Sequence, residues 1–311
     1  MPRLVEELEN FPTDLIAQLK MCIQDQRTFL KSDAVIVFTC GSRFNSEGST
    51  PRERLLQYGK RHLKQFQFFV AEEFFNPEEE QKIDLLTLED NLGNYSDCII
   101  IILDSESTFA ELGAFTNSPR LENKLLVIND VKHNGNNSFL SLGPLARINQ
   151  KSKFKPVIYT NLTSFLVSLP EIEKRLSKIK RENQQSIDLS SYEKIYSLDP
   201  KKRILFILDL IQVFSPISHR EIITVLKEVY GDKSYNFINM EIGLLKAMKL
   251  IDFQEKYYFR EGGHSKTFYN FRGIDFKKFR SKIVGLYHKT VHPRLKFLAK
   301  RALAANEEVS D

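Results

Sequence analysis

Cysteine is scarce in this chain: Cys22, Cys40 and Cys98 are the only three. Their odd number and wide spacing exclude a disulfide framework or a zinc site as the organising device, and suit reduced thiols in a cytoplasm. Long apolar runs are also missing, none approaching the roughly 20 residues of a membrane-spanning helix. The opening Met-Pro-Arg-Leu-Val-Glu-Glu is charged and lacks the apolar core of a secretory signal, so a cytoplasmic protein without membrane contact is expected. No Gly-x-Gly-x-x-Gly fingerprint occurs, which disfavours NAD as a hydride-carrying cofactor. Neither a resident cofactor nor a metal is expected.

What is present suffices for two domains. The chain has 311 residues, 42% of them apolar, long for one core but ordinary for two. Charge is divided unevenly between its parts. Residues 191–311 hold 22 Lys and Arg against 14 Asp and Glu, a net of +8, whereas residues 1–190 hold 23 against 26, a net of −3. A basic C-terminal half suggests a nucleic-acid partner there.

The most informative stretch is Cys98–Leu103 followed by Asp104-Ser105-Glu106-Ser107-Thr108-Phe109-Ala110-Glu111-Leu112-Gly113. Four successive isoleucines without alternation predict a strand covered on both faces, as in a parallel sheet. The Ser- and Thr-rich turn can cap a helix, and Ala110, Glu111 and Leu112 favour one. In open α/β sheets ligands bind beyond the carboxyl ends of the strands, where such helices begin. Glu111, about one turn into the helix, would reach a ligand there. A lone Glu at this point is ordinarily a solvated surface residue, and its neighbours shift that weighing. A carboxylate so placed can act as a nucleophile or hold a sugar hydroxyl while a glycosidic bond breaks.

The N-terminal part alternates helix and strand. A helix is expected over residues 4–31 and a first strand over 34–39, entering the turn Cys40-Gly41-Ser42-Arg43, where backbone can approach a phosphate or ribose. Ser49-Thr50-Pro51 opens a capped helix carrying Arg52. A second strand over residues 66–73 ends in the acids Glu72 and Glu73, and a helix over 79–95 carries Glu89. Strands over residues 124–129 and 156–160 and a helix over 162–182 follow, with a long polar loop at 130–153 that could cover a site or bind a partner. The pattern predicts an α/β fold with a doubly wound, mostly parallel sheet.

These motifs resemble the nucleoside 2-deoxyribosyltransferase-like family across residues 33–182. The resemblance implies that Glu111, in Ala-Glu-Leu-Gly, is the catalytic residue. It implies further that the Cys40, Gly41, Ser42 and Arg43 turn and the segment Asp104, Ser105, Ser107 and Thr108 contact substrate. Arg52 matches an Arg of defence-type members, and a surface charge is the equal alternative. Glu72 matches a strand-end acid that contacts substrate or orients an Arg. Glu89 falls near a base-recognising acid, with Asp90 and Asp84 as alternatives in register. Glu106-Ser107 replaces the family's usual Pro-Gly.

A polar stretch at 180–200 is expected to link a catalytic domain, residues 1–185, to a basic domain, residues 186–311. The second has the order of a winged helix-turn-helix: helices over 202–211, 218–226 (with a Ser218/Glu221 capping box) and 234–249. The wing follows, with strands at 250–253, 257–260 and 267–269 and a hairpin signal at Gly262-Gly263, then a basic helical tail over 274–304. The third helix is weakly charged for reading duplex DNA. Tyr257, Arg260, Lys266, Arg272, Lys277, Lys278, Arg280 and Lys282 mix aromatics with cations and suit single strands and phosphates. Phe253, Phe259 and Phe268 are expected to pack the wing's own core.

This domain order resembles the effectors encoded beside bacterial retrons. The resemblance implies as partners a reverse transcriptase and its branched RNA–DNA (msDNA), which restrain the effector until phage infection. It implies N-glycosidic chemistry on a nucleotide substrate, hydrolysis or transfer, with NAD as the first candidate substrate and other nucleotides or nucleic-acid bases next. A homo-oligomer or larger assembly fits such a system. A nucleotide-sensing DNA-binding regulator without catalysis and a structural partner that packages nucleic acid are the rival classes.

Overall fold

The computed structural model describes residues 13–25, 28–31, 34–43, 49–73, 85–181, 184–260, 267–289 and Arg294. The chain divides into two compact units, Asp33–Arg181 and a second assembled from both flanks, Met1–Ser32 with Glu182–Asp311. The residues before Asp33, expected in the α/β domain, therefore belong with the C-terminal half.

Two elements cause that regrouping. Helix α1 (Thr13–Gln24) buries Ile16, Leu19 and Ile23 along one stripe. The expected helix does not continue to residue 31, because Thr28–Leu30 forms strand β1. A β-branched residue and an aromatic in a three-residue segment suit a strand, but its partners are distant in sequence and invisible to local periodicity.

The α/β unit then runs β2 (Val35–Cys40), α2 (Pro51–His62), β3 (Phe66–Phe69), α3 (Leu85–Tyr95), β4 (Cys98–Ile102), α4 (Glu106–Thr116), β5 (Leu125–Asp130), α5 (Ala146–Lys151), β6 (Ile158–Thr160) and α6 (Leu169–Leu176). Its five strands are all parallel, in the order β3-β2-β4-β5-β6. Every residue of β2 and β4 is buried, as the unalternating isoleucines require of a sheet covered on both faces. Numbered within the sheet the order is 2-1-3-4-5, one of the two common doubly wound arrangements. Chain direction across the sheet reverses between β2 and β4, so their carboxyl ends form its switch point.

Local differences from expectation have local causes. The second strand stops at Phe69, and Ala71–Glu73 turns as a 3-10 segment that swings its acids off the sheet. The loop 130–153 is partly folded, holding a single turn of π-helix at Ser141–Leu145 and then α5. Residues 162–168 form 3-10 turns before α6, with Ser164 out of helical conformation.

In the flanking unit come β7 (Gln185–Ser186), α7 (Tyr192–Tyr196), α8 (Pro200–Phe214), β8 (Ile217–Ser218), α9 (His219–Tyr230), α10 (Phe237–Ala247), β9 (Asp252–Gln254), β10 (Tyr257–Phe259), β11 (Tyr269–Phe271) and α11 (Phe276–Lys289). The stretch read as a linker thus contributes β7, which pairs with β1. The helix–strand–helix–helix–hairpin order of α8, β8, α9, α10, β9 and β10 is that of a winged helix, and the Ser218/Glu221 capping box is formed. The wing sheet has the order β8-β10-β9. Its hairpin turns at Glu255-Lys256, both at positive φ (50° and 75°), as the tight turn type of two-residue hairpins demands. Gly262-Gly263 lie outside the described residues. The expected third wing strand is corrected: Tyr269–Phe271 pairs with β1 instead. The buried carboxylate of Asp209 on α8 accepts the backbone N–H groups of Phe268 (3.0 Å) and Tyr269 (2.7 Å), anchoring the start of β11.

Candidate active site and nucleic-acid interface

Beyond the carboxyl ends of β2 and β4 lies a cavity of about 420 Å³ lined by Phe38, Thr39, Cys40, Arg43, Arg52, Ala71, Glu72, Glu89, Ser107 and Glu111. Each element contributes for a local reason. Helix α2 begins at Thr50, whose side chain accepts from the Glu53 N–H while Glu53 returns to the Thr50 N–H, with Pro51 in the first turn. That start places Arg52, only 8% exposed, at the cavity wall. Gly41 permits the approach. A Cβ on it would stand 2.9 Å from Arg52 Cβ and 3.3 Å from Cδ.

Arg52 donates from NH1 to Glu72 Oε1 at 2.8 Å, and Arg43 donates from Nε to the same oxygen at 3.2 Å. Burial pushes the Glu72 carboxyl up, but these bonds and its own backbone N–H outweigh it and hold the group below its ordinary range. Glu72 therefore gathers two guanidinium groups at the cavity wall.

The opposite electrostatics hold at Glu111. Burial first, then the negative charge of Glu89, pushes its carboxyl up to about 7. The neighbouring Cys40 thiol and the charge of Arg52 work the other way. Its Oε2 is buried without a hydrogen-bond partner. Glu89 is raised to about 7 as well, by burial and then by Glu72. Two carboxyls on the verge of ionisation thus face the site from α3 and α4, a pattern that accompanies catalytic sites more than structural ones.

The remaining expected contacts are placed around this centre. Asp104 accepts from the Ser42 N–H (2.8 Å) and Ser42 Oγ (2.7 Å), tying the turn after β2 to the turn after β4. Asp104 and Ser42 brace the site and do not line the cavity. Thr108 is fully buried. Its Oγ1 donates to Ser105 O and accepts from the Ser105 N–H, so it closes the first turn of α4 instead of reaching a ligand. Ser105 and Ser107 share a hydroxyl contact at 3.0 Å, and Ser107 alone of the two faces the cavity. Asp90 accepts from Ser118 Oγ away from the cavity and Asp84 lies outside the described residues, leaving Glu89 as the acid of α3 at the site. Phe38, Thr39 and Ala71 were missed. All three are strand or strand-end residues, indistinguishable in sequence from core.

The glycine contact carries a prediction. Gly41→Val should drive Arg52 off Glu72, costing about 1–3 kcal/mol as overpacking does and raising KM for an anionic substrate, with Gly41→Ala milder. Unchanged melting temperature and KM in the Val variant would show that the turn yields freely.

The basic unit is partly corrected. Tyr257 is 4% exposed and packs inward. Arg260 is half-buried and donates to Gln212 Oε1 at 2.7 Å, and Arg280 donates to the Gln212 carbonyl. These three serve the unit's own packing. Lys266 lies outside the described residues. Arg272, with its guanidinium 4.5 Å from the Phe29 ring centre, and Lys277, Lys278 and Lys282 on α11 are exposed. Phe259 is buried as expected, but Phe253, expected in the core, is 51% exposed, its ring 4.9 Å from that of Tyr258 and 5.7 Å from Lys246 Nζ. Helix α10 turns Glu241 inward to Arg203 at 2.5 Å, and its exposed positions are Asn239 and Lys246.

A 2-1-3-4-5 parallel sheet with a carboxylate-bearing crevice at its switch point, in one chain with a winged-helix unit, defines a two-unit α/β protein. Residues 48–253 match the family of the STM3845 retron effector protein, and the chain belongs to that family. It is 32% identical over 242 residues to the "Retron Ec73 putative ribosyltransferase/DNA-binding protein" of Escherichia coli, covering 72% of this chain and 76% of that protein. It is 28% identical over 172 residues to the corresponding retron Ec86 protein of Escherichia coli, covering 50% of this chain and 55% of that one. No helix among the described residues is long and apolar enough to cross a membrane, and no cluster of metal-type ligands occurs among them.

Proposed function

We propose that the α/β unit hydrolyses the N-glycosidic bond of NAD, releasing nicotinamide and ADP-ribose, and that a retron reverse transcriptase with its RNA–DNA holds this activity in check. The observation that supports this reading is the polarity of the cavity. Arg43 and Arg52, joined on Glu72, line it together with the carboxyls of Glu89 and Glu111, both raised to about 7. A substrate with phosphates at one end and a cationic base on its sugar complements both.

The chemistry follows from the carboxylate. As the C1′–N bond breaks, its electron pair passes to the pyridinium nitrogen, which leaves neutral. The sugar acquires oxocarbenium character that an adjacent ionised Glu111 stabilises. A water oxygen then bonds to C1′ and loses its proton to Glu111 or to solvent. Arg43 and Arg52 hold the phosphates, and Glu89 faces the base.

The purified chain, incubated with NAD and separately with NADH, tests this. Release of nicotinamide from NAD with NADH left intact is expected, because the reduced ring lacks the positive charge. Equal cleavage of neutral-base nucleotides, or NAD left whole while another nucleotide is consumed, would overturn the substrate assignment.

The relatives' names join ribosyltransferase to DNA-binding protein, and in this chain nucleic-acid contact is assigned to the exposed lysines of α11 and the Phe253–Tyr258–Lys246 group. The near-uncharged outer face of α10 argues for a partner recognised by its phosphates and bases in single strands, not for a duplex operator.

A further inference from the structure

We propose that Tyr192 and Tyr196, with Lys233, form a base-stacking platform at the start of α10, and that one unpaired nucleic-acid strand runs from it along α10 to the Phe253–Tyr258–Lys246 group. This deepens the reading of the basic unit as a single-strand contact and rests on it.

Helix periodicity builds the platform. Ser191 caps α7, accepting from the Lys194 N–H at 3.3 Å, and the four-residue spacing of Tyr192 and Tyr196 sets their rings on one face. The rings stack with centres 5.7 Å apart and planes 26° from parallel. The Tyr192 hydroxyl donates to the Ser234 carbonyl at 2.7 Å, and the buried Tyr235 meets the Tyr192 ring edge-on at 5.6 Å. Tyr196 in turn lies 6.4 Å from the ring of Phe237, the first residue of α10. An aromatic cluster of this size ordinarily belongs to a core, yet Tyr196 is 61% exposed. Held by its neighbours and still largely exposed, it can receive a base at little cost in side-chain freedom.

Charge selects the occupant. Lys233 Nζ stands 5.9 Å from the centre of the Tyr192 ring, and at the other end of α10 Lys246 Nζ stands 5.7 Å from that of Phe253. Each platform couples a ring with a cation, the pairing that takes up the bases and phosphates of a single strand. Neighbouring acids are engaged: Asp232 by Lys227 at 2.5 Å, Asp188 by Lys194 at 3.4 Å, and Glu193 by its own backbone N–H, Ser191 and Lys233. In β9, strand alternation turns Asp252 away from Phe253. Between the platforms no acid projects, because Glu241, the only carboxylate of α10, is buried against Arg203. The helix instead exposes Asn239 and Lys246, with Met240 and Gly243 partly exposed. The rise from Phe237 to Lys246 is about 14 Å, room for about four nucleotides at ~3.4 Å each.

The experiment titrates the full chain against a fluorescently labelled oligothymidine long enough to span α10, read by anisotropy. Tyr196→Ala should weaken binding about five- to hundredfold, the worth of one stacked base. Its slope against salt should stay as in the native chain, because no phosphate contact is removed. Tyr196→Phe should bind like the native chain, since the ring stacks and the hydroxyl does not. Phe253→Ala should cost a similar factor, and the double variant the product of the two, as distant contacts to one strand do. Should either alanine variant fail to fold, ultraviolet cross-linking of the native chain to a strand carrying 5-iodouracil decides, with the cross-link expected on Tyr192 or Tyr196. Unchanged affinity in Tyr196→Ala, with Phe253→Ala or the loss of the α11 lysines still weakening the complex, would overturn the platform, leave the single-strand reading in place and pass the tyrosines to a protein partner. A native chain that binds no single strand would remove that reading and the platform together.

Discussion

Glu111→Gln is expected to lower N-glycosidic cleavage by the purified chain by about three orders of magnitude or more, in line with the loss of a positioned charge-stabilising group. Native activity should rise as pH increases through about 7, because only the ionised carboxylate opposes the positive charge on C1′, and burial together with Glu89 delays ionisation to that range. Residual activity of the glutamine variant should lack this rise. Stability should move the opposite way. Folded Glu111 keeps its proton to about pH 7, whereas an unfolded glutamate releases it near pH ~4.3. The folded state therefore binds the extra proton between those values, and its stability falls as pH climbs through that interval and stays lower above it. The glutamine variant escapes that loss, so at mildly alkaline pH it should melt at the same temperature as the native chain or higher. Full turnover in Glu111→Gln, or a lower melting temperature with lost secondary structure, would assign the residue to the fold instead of the chemistry.

The second large effect belongs to helix α11. Replacing Lys277, Lys278 and Lys282 together by Glu should abolish most association with single-stranded or branched RNA–DNA at physiological salt. All three side chains are exposed, and the backbone N–H groups of Lys277 and Lys278 are capped by Asp275 Oδ1, so the helix start survives the change. If each lysine neutralises one phosphate, the slope of log affinity against log salt should shrink by about two units on a single strand. Arg280 is the internal contrast. Its guanidinium is bonded to the Gln212 carbonyl, so Arg280→Ala should lower melting temperature more than it lowers nucleic-acid affinity. Filter binding across a salt series separates the two. Undiminished binding by the triple variant would move the interface off α11, and protection of one short duplex sequence would restore α10 as a reading helix.

The parallel sheet and Glu111 were legible because both rest on short-range signals. Isoleucines in succession can only be a strand covered twice, and a strand followed by Ser, Thr and Ala-Glu-Leu-Gly places a carboxylate at a helix start. Less could be read where the deciding partner is remote. Thr28–Leu30 became a strand because Tyr269–Phe271 lies beside it, and Gln185–Ser186, polar throughout, joined the same sheet through backbone groups that composition does not report. The site shows the same division. Arg43, Arg52 and Glu72 could be named singly, but their convergence on one carboxylate oxygen needed coordinates. Thr108 and Ser107 look alike in sequence, and the roughly 100° between successive helical residues separates a hydroxyl that faces the cavity from one consumed by the backbone. Phe253 and Phe259 read alike in sequence, and only the coordinates separate an exposed ring from a buried one.

The interleaved connectivity of the two units has a consequence during synthesis. Strand β1 leaves the ribosome early, yet both strands that pair with it are encoded after Arg181. The segment Asp33–Arg181 contains all its own strand partners and can finish folding while β1 still waits, since chains fold as they emerge and distant pairing must await closure of the intervening loop. A nascent chain therefore passes through a stage in which the cavity is complete and the basic unit is not. Any restraint exerted through that basic unit arrives late. On the proposed reading, in which a retron complex restrains the activity, translation itself is the interval of exposure, and stalled or truncated products ending between Arg181 and Tyr269 would carry the cavity without a complete basic unit.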